Sequence, residues 1–208
     1  MFIMSKNTEG TPILKVGITG GIGSGKTTVC KIFETLGIPI YYADDRAKWL
    51  MVNDPGLVSN IKKLFGKQAY HEDGSLNRKY IASIAFKDKS KLQKLNYLVH
   101  PVVRQDGIDW HNAQTNVPYT LKEAAILFES GNYSALDKTI TVFASKEIRI
   151  KRVQKRDAST HEEIEARMNK QMPEEEKIQL ADFVIYNEGD KPLIPQVLAI
   201  HRKLNKTI

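Results

Sequence analysis

The run Gly20-Gly21-Ile22-Gly23-Ser24-Gly25-Lys26-Thr27 fits G-x-x-x-x-G-K-[ST], a phosphate-binding loop (P-loop), and its flanks restrict the fold more than any other stretch. Before it, Ile13-Leu14-Lys15-Val16-Gly17-Ile18 is an apolar strand candidate. After it, Val29, Ile32, Phe33 and Leu36 recur at i, i+3, i+4 and i+7, one face of a helix closed by Gly37. A strand, a glycine-rich loop and a helix N-terminus in that order predict an open α/β sheet with the loop at the carboxyl edge of its strands.

The loop's physics names a ligand class. Its glycines let backbone N–H groups converge without Cβ clashes. The helix N-terminus adds partial positive charge and open donors. Gly21, Ile22, Gly23, Ser24, Gly25, Lys26, Thr27 and Thr28 are therefore expected around a nucleotide's phosphates. Lys26 is expected to reach the β- and γ-phosphates and the Thr27 hydroxyl to bind Mg²⁺.

Composition narrows the alternatives. A chain of 208 residues with 41% apolar side chains can bury one core and carry an inserted subdomain. Its one cysteine, Cys30, excludes a disulfide framework, suits a reducing compartment and reads as a packing residue on the loop's helix. No apolar run approaches the roughly 18 residues of a membrane span. Residues 1–11 lack the apolar stretch of a signal peptide and are expected to be a frayed tail, so a cytoplasmic protein is expected. The net charge of +7 suits a polyanionic partner. The basic residues are spread, with no interleaved aromatics to stack bases, so nucleic-acid binding is not expected as the main function.

Strand candidates recur at 13–18, 38–41, 117–122, 139–143 and 183–186 with helical patterns between them, which predicts a parallel sheet. The last helix carries Leu193, Val197, Ile200 and Leu204 on one face. Residues 45–116 exceed a simple crossover and show helical patterns at Leu57, Ile61, Leu64, Phe65 and at Leu92, Leu95, Leu98, Val99. They are expected to form a helical substrate-binding insert. Residues 146–177 are dense in charge and read as two helices, with Thr160 and Glu163 spaced as a capping box. There Arg149, Arg152 and Arg156 share a helix face, flanked by Lys146, Lys151 and Lys155, which suggests a lid that closes over phosphates. The core is then 12–44, 117–145 and 178–208.

The second strand runs into Ala43-Asp44-Asp45. One of the two aspartates is expected to orient an attacking hydroxyl near the γ-phosphate, and the other to cap the next helix. A GTPase's N-K-x-D element is missing, because the one Asn-Lys-Thr, at 205–207, has no aspartate after it. A small P-loop kinase fits better than a motor or transporter ATPase.

These residues resemble one family, the dephospho-CoA kinases, over about residues 14–200. The opening Val16 to Thr27 is similar to that family's P-loop, and Ala43-Asp44 resembles the end of its Asp-Ala-Asp. Phe65-Gly66 and Asp73-Gly74-Ser75-Leu76-Asn77-Arg78 resemble its F-G and D-G-x-L-D-R elements. His100-Pro101-Val102-Val103-Arg104 is similar to its H-P-x-x-R, and Leu127-Phe128-Glu129 to the end of its D-x-P-L-L-F-E. Ala181 to Gly189 resembles its A-D-x-V-I-x-N-x-G. The P-loop alone is generic; the later elements are specific.

The resemblance implies a three-layer P-loop kinase fold with a five-stranded parallel sheet. It implies phosphorylation of the ribose 3′-hydroxyl of dephospho-CoA by ATP with Mg²⁺. It assigns Asp44 as the base, Lys26 and Arg152 as catalytic cations, and Arg149 and Arg156 as further lid cations on ATP. Asn187 and Gly189 are expected at the adenine. His100 and Arg104 are expected on the substrate, His100 otherwise being a structural cap. Glu129 positions either a helix or the substrate. Three positions depart from the family pattern: Tyr42 replaces the first Asp of Asp-Ala-Asp, Asn77 replaces the Asp of D-R, and Glu123-Ala124-Ala125 replaces D-x-P. Asp44 is expected to be the essential aspartate.

Overall fold

The computed structural model describes residues 12–205. The expected tail at 1–11 and the final residues of the Asn-Lys-Thr lie outside them. Five strands form one parallel sheet: β1 (Leu14–Thr19), β2 (Ile40–Tyr42), β3 (Tyr119–Glu123), β4 (Lys138–Phe143) and β5 (Phe183–Tyr186), in the order β2-β3-β1-β4-β5. β1 is central because it is buried along most of its length, as a strand covered on both faces must be. Ile18 stands beside Glu123 of β3 and Ile140 of β4, so β1 and β3 end within a residue of each other under the loop that follows β1, while β4 runs on to Phe143.

Two helices illustrate how the faces are covered. In α1 (Lys26–Thr35), Val29, Cys30 and Phe33 are buried at helical spacing. In α9 (Leu193–Asn205), Val197, Ile200 and Leu204 are buried, with Leu193 packed beside them. They join Val16, Ile18, Leu121, Ile140, Val142 and Ile185 in one core. Phe33 meets Tyr119 edge to face at 6.4 Å. Truncating any of these fully buried aliphatics to Ala costs about 2–5 kcal/mol.

The chain separates into two compact units, one running to Tyr42 and resuming at His111, the other Ala43–Trp110. The second is helical: α2 (Ala43–Asn53), α3 (Pro55–Phe65), α4 (Arg78–Lys87) and most of α5 (Lys89–Asn112). Its core includes Leu50, Leu57, Ile61, Phe65, Ile81 and Val99. α3 starts where Asp54 accepts the Leu57 N–H at 2.6 Å and Pro55 supplies a preset φ. Arg46 of α2 grips Asp106 of α5 through two hydrogen bonds, at 2.7 and 2.8 Å. Leu92, expected on the apolar face of α5, is instead 44% exposed, so the buried stripe runs through Leu95, Leu98 and Val99.

Between β4 and β5 lie three helices rather than the expected two: α6 (Lys146–Asp157), α7 (His161–Met168) and α8 (Glu174–Leu180). The Thr160–Glu163 capping box forms, each residue bonding the other's backbone. Ile150, Val153, Ile164 and Met168 make a small core of their own, and Ile22 of the glycine-rich loop packs on it. Among the described residues, no helix is long and apolar enough to cross a membrane.

Candidate active site

The loop after β1 turns through positive φ at Gly23 (81°) and Gly25 (92°), conformations that only glycine adopts without strain. Gly25 is the N-cap of α1, so the helix's leading N–H groups point into the loop. Lys26 folds back over it, and its Nζ donates to the Gly20 carbonyl at 2.7 Å. A helix N-terminus, a glycine cradle and an ammonium group together match a polyphosphate in charge and donor type. Thr27 and Thr28 are exposed in the first turn of α1.

The loop that follows β5 closes on this cradle. Asn187 Nδ2 donates to the Ser24 carbonyl at 2.8 Å, and Arg152 Nη2 donates to the Asn187 carbonyl at 2.9 Å and to its Oδ1 at 3.3 Å. A Cβ on Gly25 would overlap Asn187 Nδ2, so glycine is required for this approach as well as for φ. Gly189 has φ 97° two residues further on.

The three arginines of α6 do not act as one face. Arg152 joins the cluster on Ser24. Arg156 is bound to its neighbour Asp157 at 2.6 and 2.9 Å, and Arg167 shares that carboxylate at 3.1 Å. Arg149 is buried, its Nη1 lying 3.7 Å from Glu174 and its Nε without a partner. The first two N–H groups expected to face phosphate are also occupied: Gly21 donates to Glu174 Oε2 at 3.2 Å and Ile22 to Gln171 Oε1 at 2.9 Å. Glu129 accepts the Met172 N–H at 2.9 Å and sits 3.5 Å from Lys177 Nζ.

Glu123 ends β3 as a buried carboxylate. The thiol of Cys30 registers the surroundings: burial first, then Glu123, push it up to about 12, while Lys26 pulls it down. The thiol therefore stays protonated and serves packing, as expected. Tyr42, beside Glu123 in register, donates its hydroxyl to Glu34 of α1 at 3.0 Å. Burial and that bond hold the phenol far above its usual range.

In the helical unit, Asp44 and Asp45 both lie inside the first turn of α2, so neither is a cap. Asp45 pairs with Lys48 at 2.6 Å, and Asp44 is exposed. His100 lies in mid-helix in α5, which removes its alternative role as a cap. Arg104 follows one turn later, so both side chains share a face, and both are exposed. His100 borders a cleft of about 620 Å³ with Lys94, Tyr97 and Pro101.

Sequence reading did not single out Gln171, Glu174 or Lys177. The available signal was the i, i+3 spacing of Glu174 and Lys177 at the start of α8, which also describes an ordinary charged surface helix; Gln171, before the helix, gave none.

Residues 14–192 match the dephospho-CoA kinase family. A dephospho-CoA kinase of Bacteroides fragilis is 36% identical over 187 residues, covering 90% of this chain and 91% of that protein. One of Chlorobium chlorochromatii is 42% identical over 183 residues, covering 85% and 86%. Among solved structures, a protein of Thermus thermophilus superposes with TM-score 0.81 at 34% identity, covering 92% of this chain and 98% of that one. The dephospho-CoA kinase of Campylobacter jejuni gives 0.65 at 26%, covering 93% and 98%. With a P-loop on a five-stranded parallel sheet and a family match over most of its length, the chain belongs to the dephospho-CoA kinase family.

Proposed function

We propose that the protein transfers the γ-phosphoryl group of ATP to the ribose 3′-hydroxyl of dephospho-CoA, giving CoA and ADP. The observation that carries this is the P-loop with Lys26 folded over it and Arg152–Asn187 closed on Ser24, within a chain of this family. The loop's later N–H groups, Lys26 and Arg152 hold the donor phosphates and balance charge that develops during transfer. Asn187 and Gly189 border the adenine. Asp44 orients the acceptor hydroxyl and takes its proton. His100 and Arg104 bind the acceptor, Arg104 offering a planar fork to its phosphates.

Mg²⁺, when bound, neutralises the β- and γ-oxygens. The exposed Thr27 hydroxyl and the Glu123 carboxylate at the β3 end are the residues that would hold it, hard oxygen donors suited to a hard cation. We assign helices α6 and α7 the role of lid, the helical unit 43–110 that of acceptor-binding domain, and the cytoplasm as the site of action. No nucleic-acid partner is assigned.

The test is ADP release with ATP and Mg²⁺, comparing dephospho-CoA with adenosine and a nucleoside monophosphate. Release that depends on dephospho-CoA, with CoA as product, is expected. Release only with a control acceptor would keep the kinase and overturn the substrate. Absence of turnover with every acceptor, despite ATP binding, would overturn the enzymatic reading.

A further inference from the structure

Four charged side chains lie in a row beneath the front of the P-loop. Glu129 Oε1 is 3.5 Å from Lys177 Nζ, which is 3.2 Å from Glu174 Oε1, which in turn is 3.7 Å from Arg149 Nη1. Lys177 is fully buried, and Glu174 and Arg149 are 6% and 8% exposed. Two carboxylates and two cations sum to zero charge.

This row ends on backbone. The second oxygen of Glu174 accepts the Gly21 N–H at 3.2 Å, and Gln171, three residues earlier, accepts the Ile22 N–H at 2.9 Å. Two consecutive loop amides are therefore held by two acceptors on one short segment. The segment is held in turn at its start: Gln171 N–H donates to the Met168 carbonyl at 2.9 Å, and Met172 N–H to Glu129 at 2.9 Å. Gly21 has no room for a side chain, since a Cβ there would overlap Arg149 Nη1 and lie 2.6 Å from Glu174 Oε1.

A buried ionic set of this kind is a weak source of stability, because apolar replacements of similar volume often serve as well. What it supplies is geometry: fixed acceptors at fixed positions. We propose that Glu174, Lys177 and Gln171 are positioning residues that clamp the first two amides of the P-loop, with Glu129 as anchor and Arg149 as the buried strut. The clamp withdraws Gly21 and Ile22 N–H from phosphate and sets the loop's curvature for the donors that follow. Lys177 acts through Glu174, holding its carboxylate in the orientation that Gly21 requires. Arg149 is on this account part of the loop's support rather than a ligand of ATP. The inference rests on the P-loop being the ATP site.

The experiment uses Glu174→Gln, Lys177→Met and the double variant in the full chain. Backbone amide exchange of the ligand-free proteins is read residue by residue, alongside KM for ATP and for dephospho-CoA. Each single variant is expected to speed exchange at Gly21 at least about tenfold, the loss of one charge-assisted bond, and at the adjacent Ile22 to a smaller extent. Exchange at Thr139 in β4 is expected to stay unchanged. KM for ATP should rise about tenfold on the same grounds, with KM for the acceptor held within about twofold. The double variant returns the buried set to zero charge, so it recovers the thermal midpoint lost in the singles but neither the exchange protection nor the ATP KM.

Unchanged exchange at Gly21 and Ile22 in both singles would overturn the clamp. So would a double variant that regains wild-type KM for ATP, since charge balance alone would then explain the defects. A wild-type protein that fails to bind ATP by calorimetry would instead overturn the reading of the P-loop, and the exchange data would still decide the clamp.

Discussion

Asn187 donates its side-chain amide to the main-chain carbonyl of Ser24, joining the end of β5 to the P-loop at 2.8 Å. Gly25 leaves just enough space for that amide. The loop after β5 is thus a wall of the phosphate cradle. Asn187→Ala removes this bond and the longer one from Arg152 to its Oδ1, leaving the one to its main-chain carbonyl, and should raise KM for ATP about five- to tenfold while changing kcat less, the scale of one or two hydrogen bonds. Initial rates across ATP concentration check it.

Asp44→Asn should lower kcat by about 10²-fold or more with ATP affinity retained, the usual range for a lost general base. Asp45→Asn should leave kcat within about threefold, because Asp45 is engaged by Lys48 at the surface and such exposed pairs contribute little. Steady-state kinetics and ATP calorimetry on both variants separate the two aspartates. Equal losses would remove the distinction.

The arginines of α6 should differ in the same way. Arg152→Ala takes a cation off the Ser24–Asn187 cluster and should reduce kcat/KM for ATP by about 10³-fold, the lower end of the range for arginines that stabilise a transferring phosphoryl group. Arg156→Ala loses a solvent-facing contact to Asp157 and should stay within about threefold. Parallel kinetics of the two variants give the comparison.

Tyr42 is expected to support structure rather than chemistry. Tyr42→Phe keeps the ring and should keep activity within about twofold, since only one partly exposed hydrogen bond to Glu34 is lost. Tyr42→Asp restores the residue type of the family motif but sets a carboxylate in register with Glu123 and near Glu34. Like charges so placed should cost about 1 kcal/mol, visible as a lower denaturation midpoint.

Acid should destabilise the fold through His111. Its Nδ1 meets the Thr120 hydroxyl at 2.8 Å in the interior. Burial, then Lys15, hold its pKa down to about 4 from the ordinary 6.5, with Asp137 opposing. Below 6.5 the unfolded chain takes up a proton that the native state refuses. This contribution is therefore complete above that pH and is lost as pH falls toward 4, by on the order of 3 kcal/mol. Denaturant melts of the wild type and His111→Asn between these limits check it, the variant showing a flatter profile.

The sheet and its loop were legible because their signals are local. A strand, a glycine motif and a heptad-like apolar face occupy adjacent residues, and each constrains the next. The segment between β4 and β5 was legible as charge and helix, but not as partnership. Helical spacing places Arg149, Arg152 and Arg156 on one face and says nothing of what each meets there. Glu174 follows Pro173 in a run of three glutamates, and Lys177 sits one turn on, a pattern typical of a solvated helix. Only tertiary packing buries that lysine and turns that carboxylate onto Gly21. The family elements likewise pointed to Glu129 without separating its two possible tasks.

The order of the strands sets an order of assembly. The residues from 43 to 110 are contiguous and carry their own core, so nothing later in the chain is required for them to collapse. The sheet is the opposite case: among the described residues β1 pairs with β3 and β4, which lie more than a hundred residues further along, so its central strand emerges from a ribosome long before either neighbour. Such distant parallel pairing carries a high loop-closure cost and slows folding. The glycine-rich loop therefore acquires its shape late, and a chain stalled before β3 would present a finished helical unit attached to an unpaired apolar strand.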